Sequence, residues 1–329
     1  MSRKKFYLVL DTETATLPFM RYWELKPEDK KKIAIAKPIV YDIGWTICDR
    51  KGKVYREYSS LVAETFGNME LFDTAYYKDK RPIYLEMIRR EKILVKPWND
   101  IMKDLQNDFE MVDFVGAFNS MFDFKKAIPF TELYISQVYS DNYYAWEENQ
   151  KILCAAILEG KKPTNKDFDK NFFYLRNKKY PLFDIWGMAC ETLLNKQSYK
   201  IACLDYAMTS NSGLYFKTSA ESSYRYLMNN YNFDEAHTAL DDSKIETFLL
   251  SKILHDKAVT QGIIYFPFQK LGRTTDFIIE TKRKVKPEHF DYVYNMIENA
   301  TKNYEPGSNY LKQLRAQQNR IRAEKERRW

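Results

Sequence analysis

The stretch Phe6-Tyr7-Leu8-Val9-Leu10-Asp11-Thr12-Glu13-Thr14 decides the fold. Five consecutive apolar residues read as a strand buried on both faces, as in the centre of a sheet covered by helices. The acids follow directly, so they project from the sheet edge, where solvent and substrate can reach them. Residues i and i+2 of an extended strand point the same way, which lets Asp11 and Glu13 approach one cation, with Asp11 bridging to a second.

Working outward, residues 41–48 form an apolar run interrupted by Asp42 and Gly44, and residues 53–62 alternate polar and apolar. Both read as strands, joined by the hairpin turn Asp49-Arg50-Lys51-Gly52, so three antiparallel strands open the chain. Residues 70–111 carry helical spacing with breaks at Pro82 and Pro97. Residues 112–118 read as another strand and 119–127 as a short helix that Pro129 stops. Residues 134–180, dense in Tyr, Asn and Lys without a clean period, read as an insertion of loop and some helix. Helical spacing returns over 182–195, over 218–230, and from His237 to near residue 253. Strands first and alternating elements afterwards imply an α/β fold with a mixed sheet flanked by helices.

Composition is that of a folded protein, with 45% hydrophobic and 29% charged residues. The basic start gives way to Asp11 after a short apolar run, so neither an export signal nor a membrane span is expected. Cys48, Cys154, Cys190 and Cys203 lack zinc or redox spacing and are expected to be reduced thiols in a cytoplasmic protein. With 3 histidines in the chain, a histidine-built zinc centre is hard to assemble. The net charge of +7 is uneven: residues 256–329 hold 15 Lys or Arg against 9 Asp or Glu. Within them, Thr281-Lys282-Arg283-Lys284-Val285-Lys286 is a compact basic cluster, and residues 310–329 read as a basic helix. Its sparse apolar positions suit either a docking element or a solvated arm, and its charge suits a phosphate backbone or a protein partner.

Two further acids have recognisable settings. Phe118-Asn119-Ser120-Met121-Phe122-Asp123 again follows an apolar strand and delivers a carboxylate just inside a helix. There Asn119 could fix the loop or bind substrate backbone, and Phe122 could pack in the core or stack on a base. In His237-Thr238-Ala239-Leu240-Asp241-Asp242, Thr238 with Asp241 forms a helix N-cap that leaves His237 outside the helix and Asp242 on its first turn. Asp11, Glu13, Asp123 and Asp242, if gathered, repel one another unless cations neutralise them, and such oxygen donors suit two Mg2+ or Mn2+. His237 beside hydrated cations is a candidate general base.

Asp11-Thr12-Glu13-Thr14, the Asn119 to Asp123 stretch and His237 to Asp242 occur in the order of the DEDD-type 3′-5′ exonucleases, histidine subclass, and the chain resembles that DnaQ-like family. The similarity covers roughly residues 6–62, 112–128 and 182–255. It implies a ribonuclease-H-like five-stranded sheet in residues 1–255; the insertion 134–180 and the basic, mostly helical extension 256–329 depart from the family's pattern. It further implies that Asp11, Glu13 and Asp242 hold one metal and that Asp11 and Asp123 reach a second. By the same likeness His237 takes the proton of the nucleophilic water, and Thr12, Thr14 and Leu17 contact the terminal nucleotide. The expected substrate is single-stranded nucleic acid or a frayed 3′ end, DNA favoured over RNA, with replication or repair proteins as partners and no membrane. The rivals are an RNA-trimming enzyme, a non-catalytic nucleic-acid or replisome-binding module on the same scaffold, and an endonuclease using the same metals.

Overall fold

The computed structural model describes residues 3–17, 37–138, 169–176, 178–210, 213–281, 290–302 and 309–327. Its seven strands are β1 (Phe6–Leu17), β2 (Lys37–Asp49), β3 (Val54–Val62), β4 (Leu94–Lys96), β5 (Phe114–Ala117), β6 (Phe172–Leu175) and β7 (Lys178–Asp184). They form one mixed sheet in the order β4-β3-β2-β1-β5-β7-β6. β1 lies at its centre, antiparallel to β2 and parallel to β5, and Leu8, Val9 and Leu10 are fully buried, as a strand covered on both faces requires. The opening antiparallel trio and its hairpin turn are present, with the Gly52 N–H donating to the Asp49 carbonyl at 2.9 Å.

The longer helices are, in chain order, α1 (Arg81–Arg89), α2 (Trp98–Phe109), α3 (Ile128–Val138), α4 (Ile185–Glu191), α5 (Gln197–Asp205), α6 (Ala220–Met228), α7 (Ala239–Asp256), α8 (Thr274–Thr281), α9 (Phe290–Thr301) and α10 (Asn309–Glu326). The fold is therefore α/β, with two strands more than the five expected. The additional pairings are at the sheet edges: β4 lies beside β3, and β6 beside β7 within the stretch read as an insertion. Of that insertion, residues 139–168 and 177 lie outside the described residues.

Two boundaries differ from expectation for physical reasons. Leu182, Phe183 and Asp184 end a strand rather than begin a helix, because they pair with Val115, Gly116 and Ala117 of β5. An apolar run of that length is compatible with either period until its partner is known. Pro129 does not stop the helix before it. Asp123–Ala127 forms a π-helical turn in which the Ile128 N–H donates to the Asp123 carbonyl, and α3 continues through the proline. The proline then falls at the second residue of α3, in the first turn, where a missing N–H is tolerated.

The chain divides into two units. The first comprises Met1–Ile185, Ala236–His255 and Val259–Ile263 and contains the whole sheet. The second comprises Trp186–Glu235, Asp256–Ala258 and Ile264–Trp329, so the residues expected to form a separate extension group with α5 and α6. Val259–Ile263 belongs with the sheet because the Gly262 N–H donates to the Leu182 carbonyl at 2.8 Å. In the second unit α10 packs with α8 and α9. It buries Leu311, Leu314 and Ile321 while exposing Lys312, Arg315 and Arg322, and Arg327 just past its end is exposed as well. Cys48, Cys190 and Cys203 are buried free thiols, and Cys154 lies outside the described residues, as do residues 282–286 of the basic cluster. Among the described residues no helix is long and apolar enough to cross a membrane.

Candidate functional site

β1 places the first two acids. Asp11 pairs with Gly44 and Glu13 with Asp42 of β2, and the register shifts between Glu13 and Thr14, where Val40 becomes the partner. A bulge of this kind bends a strand and re-aims the side chains beside it. The acidic pair therefore sits within β1 and not beyond its end: the pairing with β5 reaches only Val9, but the pairing with β2 shifts by one residue and continues to Leu17, so the strand outlasts its apolar run.

The third acid arrives through β5. Beyond Ala117 the Ser120 hydroxyl accepts the Ala117 N–H at 2.9 Å and lies 2.6 Å from the Phe183 carbonyl, to which it donates. The Asn119 carbonyl accepts the N–H groups of Phe122 at 2.7 Å and Asp123 at 3.3 Å, which fixes the turn. Asp123 then opens the π-helical turn, an irregularity often found at functional positions. Its Oδ1 accepts the Thr12 hydroxyl at 2.7 Å, tying β1 to this turn.

The fourth acid and the histidine depend on how α7 meets β2. A Cβ on Gly44 would lie 2.3 Å from the Leu240 amide nitrogen, so glycine is what lets the first turn of α7 rest on the strand. Farther along, the hydroxyls of Thr46 and Thr247 meet at 2.5 Å. Asp42, fully buried, accepts the Ala239 N–H at 3.0 Å and the Tyr84 hydroxyl at 2.9 Å on one oxygen, and so anchors the helix start. The Thr238 hydroxyl accepts the Asp241 N–H at 3.4 Å, as the predicted cap requires, and donates to the Asp241 carboxylate at 2.9 Å. His237 stands outside the helix with φ of 51°, a left-handed conformation that a non-glycine residue holds only under constraint. That turn brings its Nδ1 to 3.8 Å from Asp242 Oδ2.

Glu13, His237 and Asp242 each offer one ligand atom, and these atoms lie within 4.8 Å of one another. Asp11 and Asp123 stand outside this closest trio, but Asp11 feels the charge of Asp123, Asp242 and Glu13. A further acid was not anticipated from the sequence: Glu246, one turn beyond Asp242 on α7, is buried and accepts the Phe118 N–H at 3.0 Å. The available signal was the i, i+4 spacing, which puts Glu246 on the face of Asp242. Burial drives the Asp11 carboxyl well above the usual carboxylate range, reinforced by Glu246, Asp123, Asp242 and Glu13. Burial also pushes Asp123 up to about 7, against the opposing hydrogen bond from Thr12. Buried acids that repel one another in this way suit a divalent cation, which replaces mutual repulsion with attraction, and the oxygen-rich donor set fits magnesium or manganese.

The expected nucleotide contacts are distributed as follows. Thr12 is buried with its hydroxyl on Asp123, Thr14 is half-buried just past the bulge, and Asn119 is exposed beside the Asp123 turn. Phe122 is half-buried against the main core, which is the packing alternative of its two readings. Leu17 closes β1, and its side chain lies outside the described residues. No family model matches the chain, and no curated protein and no solved structure matches it.

Proposed function

We propose that the chain is a metal-dependent 3′-5′ exonuclease on a ribonuclease-H-like sheet, cleaving phosphodiester bonds of single-stranded nucleic acid or frayed ends. The observation that carries this reading is the gathering of Asp11, Glu13, Asp123 and Asp242 around the middle of the central strand, beside its bulge, with His237 beside Asp242. Asp11, Glu13 and Asp242 would hold one Mg2+ or Mn2+, and Asp11 with Asp123 a second. Bound there, the ions would supply an activated water and charge neutralisation at the leaving oxygen. The chain's own groups do the rest. The His237 imidazole accepts the proton of the attacking water, and the Asp242 carboxylate at 3.8 Å favours the imidazolium that results. The Asn119 turn and the Thr12 to Thr14 backbone line the approach for the terminal nucleotide. A place in replication or repair, with a polymerase as partner, accords with the same reading.

The test uses 5′-labelled DNA and RNA oligonucleotides of one sequence with free or blocked 3′ ends, together with a circular single strand. Stepwise shortening of free-ended DNA that chelator stops is expected. Asp11→Ala and His237→Ala are each expected to lower the rate by at least about 100-fold while the fold persists. Faster loss of the RNA ladder would assign an RNA-trimming enzyme, and cutting of the circle would assign an endonuclease. Binding without cleavage by the wild-type protein would leave a non-catalytic module.

A further inference from the structure

Residues 73–80 connect the helical turn Met69–Phe72 to α1, and nothing in the residue pattern singled them out. In the structure they close on the segment that carries His237. The Tyr77 ring stacks on the His237 imidazole, with centroids 4.3 Å apart and planes 17° from parallel. The Lys80 ammonium lies 5.0 Å from the Tyr77 ring centroid and donates to the Ala236 carbonyl, one residue before the histidine. The Tyr84 hydroxyl, already bonded to Asp42, stands 3.5 Å from the His237 carbonyl. At the other end of the loop, Thr74 exchanges two hydrogen bonds with the backbone of Thr16 on β1: the Thr16 N–H donates to its hydroxyl at 2.9 Å, and its hydroxyl to the Thr16 carbonyl at 2.7 Å.

We infer that Tyr77 is a positioning residue for the imidazole of His237, and that the Thr74 to Lys80 loop is the clamp that holds it. The physical need is plain. His237 sits in a left-handed conformation on a short lead-in to α7, and its ring is about a quarter exposed at 24%. Without a lateral support an imidazole in that setting samples several χ1 and χ2 settings, and most of them turn its nitrogens away from Asp242. A face-to-face ring at 4.3 Å restricts both torsions while leaving the ring edge, where the nitrogens lie, directed at the acidic cluster. The Lys80 grip on Ala236 restrains the backbone on one side of the histidine, and Tyr84 restrains it on the other. Because the loop is pinned to Thr16, beyond the bulge that follows Glu13, the clamp refers His237 to the same strand that supplies Asp11 and Glu13. A general base displaced by about 1 Å loses one to two orders of magnitude in rate, so a support of this kind acts on turnover and not on substrate affinity.

This inference rests on the nuclease reading, and its test keeps the two apart. The chain has 3 histidines, His237, His255 and His289, so a histidine-labelled sample gives a spectrum in which His237 is identified by its loss in His237→Gln. In wild-type protein the carbon-bound ring protons of His237 are expected upfield of the other two, shifted by the Tyr77 ring current. Tyr77→Phe should retain that shift and keep kcat within about twofold. Tyr77→Leu should lose the shift and lower kcat about tenfold with KM within about twofold. If Tyr77→Leu does not fold, Lys80→Met, at a half-exposed position, should lower kcat in the same direction at constant KM. Persistence of the shift in Tyr77→Leu, or its loss with kcat unchanged, overturns the assignment. So does unaltered turnover in Lys80→Met. A wild-type protein that shows the shift but hydrolyses no phosphodiester overturns the nuclease reading itself, and with it the reaction assigned to the stack.

Discussion

Asp11 and Asp49 show how the same side chain acquires opposite properties from its surroundings. At Asp11 burial and four neighbouring acids favour the neutral form, which accords with the cation proposed there. At Asp49 burial also opposes ionisation, but the Lys4 ammonium, the Tyr55 hydroxyl and the N–H groups of Lys51 and Lys53 outweigh it and hold the carboxyl at about 2. A folded-state pKa below the unfolded one contributes stability that is present above the unfolded value and lost as pH falls through the folded value. Asp49→Asn is therefore expected to cost on the order of 1 kcal/mol at pH 7, modest because Lys4 is half exposed, and progressively less as pH falls toward 2. Urea unfolding of both proteins between pH 7 and pH 2 measures it; a difference that grows on acidification contradicts the assignment. The acids of β1 were legible because they end a continuous apolar run. Glu246 was not, because its role comes from the approach of α7 to Phe118, a tertiary contact that no local pattern encodes.

At the scale of elements, the docking of α7 on β2 decides whether the site exists. Gly44 stands opposite Asp11 in the sheet and beneath Leu240 in the helix, so one missing Cβ sets the distance between the strand that carries Asp11 and the helix that carries Asp242. Gly44→Ala forces a shift of helix backbone, because the clashing atoms are main-chain and not the end of a flexible side chain. A loss of about 1–3 kcal/mol and a marked fall in Mn2+-dependent hydrolysis are expected. Wild-type stability and rate in that variant, by denaturant melt and digestion assay, would show that the helix does not rest there. Glycine was visible in the sequence as a break in an apolar run, yet what it admits became clear only with the helix in place. The edge strands β4 and β6 were illegible for a different reason. At 3 and 4 residues they are too short for alternation to register, and pairing with β3 and β7 creates them.

For the whole molecule, the basic bias of the C-terminal residues acquires a concrete form. The apolar positions of α10 are used within the second unit, which leaves Lys312, Arg315, Arg322 and Arg327 as an exposed basic set. Replacing these four by Gln is expected to flatten the salt dependence of single-strand binding, by up to about 3 in the log–log slope if each contacts a phosphate. An unchanged slope would leave the helix to a protein partner. The fold class was readable because strand-first order and a buried central strand constrain the sheet strongly. The grouping of residues into two units was not, since Val259–Ile263 joins the sheet through backbone bonds to residues far earlier in the chain.

The most direct measurement of the central claim is an anomalous difference map from crystals soaked in Mn2+. Two peaks about 4 Å apart are predicted, bounded by the carboxylates of Asp11, Glu13, Asp123 and Asp242. A map without density among those oxygens, at a manganese concentration that stabilises no other site, would contradict the account.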